Sequence, residues 1–62
     1  MPTIIVEWAE GRTNEQKAQL VKEVSEVVSW VAKAPLESVT VIIHDNPPPN
    51  TGRGGKLHHL KH

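Results

Sequence analysis

The sequence predicts an α/β (α+β) fold: one β-α-β unit with parallel strands and a C-terminal hairpin, completed by oligomerisation. Three observations carry this. Two short runs rich in β-branched residues, 3–9 and 38–44, flank a stretch whose apolar residues recur at three- and four-residue spacing. A glycine-rich segment, Gly52-Arg53-Gly54-Gly55, follows the second run and can turn sharply. The chain has 62 residues and no cysteine, and a domain of that size buries only about 60% of its unfolded surface. With no disulfide to staple it, assembly with further copies is the expected way to complete a core.

Each element has its own signal. Thr3 to Ala9 reads as a strand, with Pro2, Ile4, Val6 and Trp8 on one face and Thr3, Ile5, Glu7 and Ala9 on the other. Glu10-Gly11-Arg12 is a turn. Thr13 is an N-cap, and Gln16 three residues on completes a capping box. The helix then runs from about Asn14 to Ala32 or Lys33. Leu20, Val24, Val27, Val28 and Val31 form its apolar stripe, while Lys17, Lys22, Glu23 and Glu26 mark the wetter side. Its valines lower helix propensity, so tertiary packing must hold it. Pro35 ends it. Ser38 to His44 is the second strand, and a strand-helix-strand succession at this spacing makes the two strands parallel with a right-handed crossover. Asp45 to Gly55 reads as a loop, with Pro47-Pro48-Pro49 stiff and extended, then a short hairpin that could join a neighbour's sheet. The tail from Leu57 to His62 reads as a packing arm or a frayed end. With no internal repeat, residues 1–62 are expected to form a single domain.

Charge and hydropathy exclude several classes. Seven basic and seven acidic residues leave no basic excess, so no nucleic acid and no anionic membrane is expected as a partner. No apolar run approaches the ~20 residues of a membrane span, and the N-terminus lacks the basic and apolar regions of a signal peptide. A cytoplasmic protein is the expectation.

Pro2 carries the chemistry. If Met1 is removed, the Pro2 nitrogen is a free secondary amine at the start of a strand. An α-amino group titrates at roughly 7.7–8.0, and burial in an apolar pocket disfavours its charged form. Such an amine takes protons near neutral pH unaided. With Met1 attached, the same nitrogen is an amide without useful basicity, and a proline there would merely open an edge strand.

The ordered set of Met1-Pro2, Glu10-Gly11-Arg12-Thr13-x-Glu15-Gln16-Lys17, Ala34-Pro35-Leu36-x-Ser38-Val39, Val41-Ile42-Ile43 and Gly52-x-Gly54-Gly55 resembles the 4-oxalocrotonate tautomerase family over essentially the whole chain. The resemblance implies a β-α-β subunit with a C-terminal hairpin in a hexamer, and an active site around the N-terminal proline at a subunit boundary. It implies keto–enol tautomerisation of a small unsaturated 2-oxo or 2-hydroxy acid, a carboxylate substrate, with no metal and no cofactor. Pro2 matches the family's acid/base. Arg12 matches the arginine that holds the distal carboxylate, and a planar guanidinium suits that bidentate task.

Two positions depart from the family pattern. Thr40 stands where a second arginine is usual and offers one hydroxyl without charge. Thr51 stands where Phe or Trp is usual, which should leave the pocket wetter. Arg53, between Gly52 and Gly54, could swing a guanidinium over a neighbour's pocket in compensation. These departures keep other readings open: a superfamily hydratase or dehalogenase acting on a small unsaturated acid, or a catalytically weak subunit. A homo-hexamer is the expected assembly, with a hetero-hexamer as the alternative.

The remaining candidates are weaker. His58, His59 and His62 could share a helical face and hold zinc loosely, but no cysteine or matched carboxylate accompanies them, and no metal site is assigned. His44 beside Asp45 could form an acid–base pair, though a solvent-facing strand-end histidine is the simpler reading. Trp30 suits an interface with another subunit. Trp8 suits packing or a wall on the Pro2 side of the pocket.

Overall fold

The computed structural model describes residues 1–57. The elements follow the order β1 (Thr3–Ala9), α1 (Asn14–Ala32), β2 (Thr40–Asn46), β3 (Gly52–Arg53) and β4 (Lys56–Leu57), with one-turn 3₁₀ helices at Leu36–Ser38 and Pro48–Asn50. β1 and β2 pair in parallel, Thr3 opposite Thr40 and Ala9 opposite Asn46. β3 and β4 form an antiparallel hairpin. The tail beyond Leu57, with the expected packing arm, lies outside the described residues.

Alternation along the strands decides which side chains meet the helix. Ile4, Val6 and Trp8 of β1 and Val41 and Ile43 of β2 are half-buried, while Thr3, Ile5, Glu7, Thr40, Ile42 and His44 look out from the opposite face. Ile5 is 56% and Ile42 40% exposed there. The helix covers one face only. Among the described residues no apolar side chain is fully buried.

The helix starts as its sequence dictates. Thr13 Oγ1 accepts from the Gln16 N–H at 3.1 Å, and the Gln16 side chain accepts from the Thr13 N–H at 2.9 Å. Its buried stripe is rotated from the expected one. Leu20, Val24 and Val28 are half-buried, but they are joined by Ser25 and Ser29 rather than by Val27 and Val31. Ser25 is 9% exposed, whereas Val27 is 61% and Val31 67% exposed. Serines let the helix lie close to the sheet, and the two valines, with Trp30 at 81% exposed, make a second apolar strip facing outward. An apolar groove of about 490 Å³ between Trp8, Leu20, Val24, Val27 and Val28 continues it.

The helix ends without a glycine. Lys33 takes the left-handed conformation at φ 55°, ψ 42°, which favours glycine and costs a side-chain-bearing residue about 1–2 kcal/mol. Ser29 stabilises that end, donating from its hydroxyl to the Ala34 carbonyl at 2.6 Å. Lys33→Gly should therefore raise the stability by roughly 0.5–1 kcal/mol, since relief of the strain exceeds the added freedom of the unfolded chain. Urea unfolding of the two proteins at equal concentration checks this.

Two boundaries differ from expectation. β2 begins at Thr40, not Ser38, because Leu36–Ser38 closes a 3₁₀ turn in which the Ser38 N–H and hydroxyl both donate to the Pro35 carbonyl, at 3.0 and 2.8 Å. It runs on through Asp45 and Asn46, which were expected in the loop, because they pair with Trp8 and Ala9 and the Asn46 carbonyl accepts from the Glu10 N–H at 3.1 Å. The proline run is extended only at Pro47. Pro48–Asn50 turns into a 3₁₀ helix, since proline's fixed φ suits that turn as well as an extended one. Asn50 supplies the N–H that closes on the Pro47 carbonyl at 2.9 Å.

Candidate active site

The site residues fall into two groups at opposite ends of the sheet. At the N-terminal end, the Thr40 N–H donates to the Pro2 carbonyl at 2.9 Å. That bond ties the residue before β1 to the first residue of β2. Pro2 is half-buried, while Met1 is 99% exposed. Thr40 lies on the open face of the sheet beside Thr3.

At the C-terminal end, β1 leads into the turn that carries Arg12, and β2 leads through the proline turn to the hairpin. A cavity of about 590 Å³ forms there, lined by Glu7, Trp8, Asn46, Asn50, Thr51 and Arg53 among others. Thr51 and Arg53 thus share one cavity. Arg12 reaches the same end, with its guanidinium 5.1 Å from the centroid of the Trp8 ring. Pro2 and Thr40 are not with them. The seven residues of β1 rise by about 3.3 Å each, so the two groups of one subunit stand ~20 Å apart.

Two expectations change here. Within its own subunit Trp8 does not wall the Pro2 side, for it sits at the other end of β1. Nor do His44 and Asp45 form a pair. Neighbours on a strand point to opposite faces, so His44 lies 3.5 Å from Glu7 on the open face, whereas Asp45 turns to the helix.

Asp45 is a contact centre that inspection of single elements missed. Its carboxylate accepts from the Trp8 indole N–H at 2.6 Å and from Lys17 Nζ at 2.5 Å. The register that sets Trp8 opposite Asp45, with Lys17 in the first turns of the helix, brings the three together; no motif marks them. The Lys17 hydrogen bond, and after it that from Trp8, hold the Asp45 carboxyl below its ordinary value. A depressed carboxylate contributes stability above its unfolded pKa of about 3.9, and loses it as pH falls through the folded value. Asp45→Asn should therefore lower the melting temperature near neutral pH and leave it little changed in strong acid. Thermal unfolding across that range checks it.

Among the described residues no group of three His, Cys, Asp or Glu side chains could hold a metal ion. His58, His59 and His62 lie outside those residues. No helix of the described residues is long and apolar enough to cross a membrane.

Comparison with known proteins places this geometry. The family model described as "Tautomerase enzyme" matches residues 2–61. A relative from Streptococcus mutans serotype c, named "Probable tautomerase", is 55% identical over 47 residues, which are 76% of this chain and 77% of the relative. The crystal structure of a 4-oxalocrotonate tautomerase homologue superposes with a TM-score of 0.94 at 32% identity, covering 100% of this chain and 98% of that one. A fused 4-oxalocrotonate tautomerase, an asymmetric trimer, superposes with a TM-score of 0.93 at 36% identity over 98% of this chain and 50% of its own. With its parallel β-α-β unit and C-terminal hairpin, this chain belongs to the tautomerase family and is an isomerase of the 4-oxalocrotonate tautomerase type.

Proposed function

We propose that this protein interconverts the enol and keto forms of a small unsaturated 2-oxo acid, with Pro2 as the acid/base after removal of Met1. The neutral secondary amine takes the enol proton and returns a proton to a carbon further along the conjugated chain. Arg12 grips the far carboxylate of the substrate, Thr40 offers a hydroxyl to its near end, and Thr51 and Arg53 line the intervening space. No metal or cofactor enters this step. Residues 1–62 act as one domain, in the cytoplasm.

The observation that carries the reading is the match to the tautomerase family over residues 2–61, which includes Pro2. Pro2 is moreover half-buried and tied through its carbonyl to β2, which leaves its nitrogen side to the substrate.

The ~20 Å between Pro2 and Arg12 within one subunit argues that each site takes Pro2 from one chain and Arg12 from another. A homo-hexamer supplies this. The fused homologue, whose chain is about twice this length, is a trimer, and six units of the present size make an equivalent assembly. The open sheet face and the outward strip of Val27, Trp30 and Val31 are the surfaces such an assembly would cover.

Ketonisation of 2-hydroxymuconate and phenylenolpyruvate by protein whose mass shows that Met1 is gone tests the proposal. Turnover of either supports it. Turnover of neither overturns it in favour of a catalytically weak subunit of a mixed oligomer, a reading for which Thr40 in the arginine position speaks.

A further inference from the structure

Arg12 sits in a turn whose backbone is permissive, because Gly11 has φ 116°. An arginine there would ordinarily sample many rotamers, and fixing a side chain that long costs conformational entropy. Here the guanidinium is laid over the Trp8 ring, and its Nη1 donates to the Ala9 carbonyl at 3.1 Å. The ring is itself tethered. Its N–H donates to Asp45 Oδ1, and Lys17 holds Asp45 Oδ2.

We propose that Lys17, Asp45 and Trp8 form a positioning chain that presents the Arg12 guanidinium to a carboxylate, and that Trp8 thereby sets the preference for acids carrying a second carboxylate. The proposal rests on Arg12 being the carboxylate anchor. Its physical basis is the geometry of the guanidinium. A cation–π contact with the indole occupies none of the guanidinium's N–H groups, and those are what make its hydrogen bonds. With Nη1 engaged to Ala9, the remaining N–H groups of the edge stay available for a bidentate grip. Asp45 accepts no hydrogen bond from them, since its two oxygens are taken by Trp8 and Lys17, and it acts on Arg12 only through its charge. Among the described residues no carboxylate is in ion-pair contact with Arg12.

The test is the KM of the assembled, Met1-free protein for 2-hydroxymuconate, which has two carboxylates, against its KM for phenylenolpyruvate, which has one. Trp8→Leu removes the platform and should raise the KM for the diacid about two- to fivefold more than that for the monoacid. Trp8→Phe keeps an aromatic face and should restore most of the difference. Asp45→Ala leaves the indole in place but untethered and should shift the ratio in the same direction by less. A general structural defect would move both acids together. Equal shifts for the two acids, or an unchanged ratio in Asp45→Ala should Trp8→Leu fail to assemble, would overturn the proposal. Arg12→Ala measured in parallel separates the two ideas. If it leaves the ratio alone, the anchor reading fails and takes this proposal with it. If it shifts the ratio while the Trp8 and Asp45 variants do not, only the positioning chain is wrong.

Discussion

Pro2→Ala should lower kcat/KM for 2-hydroxymuconate by about 10²-fold, at the lower end of the 10²–10⁴ that positioned acid–base catalysis contributes. The loss stops short of the upper end because a Met1-free alanine chain still carries an α-amine. What disappears is the ring, which fixes φ near −65° and holds the nitrogen at one angle to the strand. The alanine amine rotates, and part of its time is spent facing away from the substrate. Retention of Met1 on the wild-type chain should be more damaging still. It turns the nitrogen into an amide, and activity should drop to background while the fold persists, since Met1 is exposed. In the wild type, kcat/KM should climb as pH rises through the pKa of the amine, because only the neutral form accepts a proton. Steady-state kinetics on protein of verified mass decides all three. Full activity in Pro2→Ala would remove Pro2 from the mechanism.

Arg12→Ala should act on binding instead. Hydrogen bonds to a charged group contribute about 1.5–3 kcal/mol, which corresponds to roughly a 10- to 150-fold rise in KM at 1.36 kcal/mol per decade. The carboxylate at the far end of the diacid is held alike before and during proton transfer, so kcat should change little. Phenylenolpyruvate has no second carboxylate, and its KM should stay where it is. A fall in kcat equal for both acids would assign Arg12 to the reacting end of the substrate.

The elements were largely legible because their signals are local. The capping pair Thr13 and Gln16 marks the helix start, and alternation in Thr3–Ala9 marks both the strand and its two faces. The errors lie where one residue type serves two structures. Ser38 reads as strand by its neighbours, yet its hydroxyl closes a turn back to Pro35. Lys33 gives no warning that it will take a glycine's conformation. The Val27 and Val31 spacing suits the core as well as Ser25 and Ser29 do, and only the actual packing chooses between them. Of the candidate site, the motifs point to Pro2 and Arg12, and Thr51 and Arg53 line one cavity at the other end of the sheet from Pro2. The Lys17–Asp45–Trp8 contacts were not legible. They depend on the register of two parallel strands separated by a helix, and neither strand encodes that register alone. The absence of a His44–Asp45 pair follows only from β2 running on through Asp45, which turns the two side chains to opposite faces.

The ~20 Å that separates Pro2 from Arg12 has a genetic consequence. If each site is assembled from two chains, a lesion at one end of the sheet and a lesion at the other damage different halves of different sites. Two chains, each inactive by itself, could then share a working centre in a mixed ring. The lack of charge at Thr40 need not be limiting for such an assembly, because a second kind of chain could supply what this one lacks. Mutational tolerance would then belong to the set of chains that assemble together, and a gene duplication could let each copy keep only one end of the sheet.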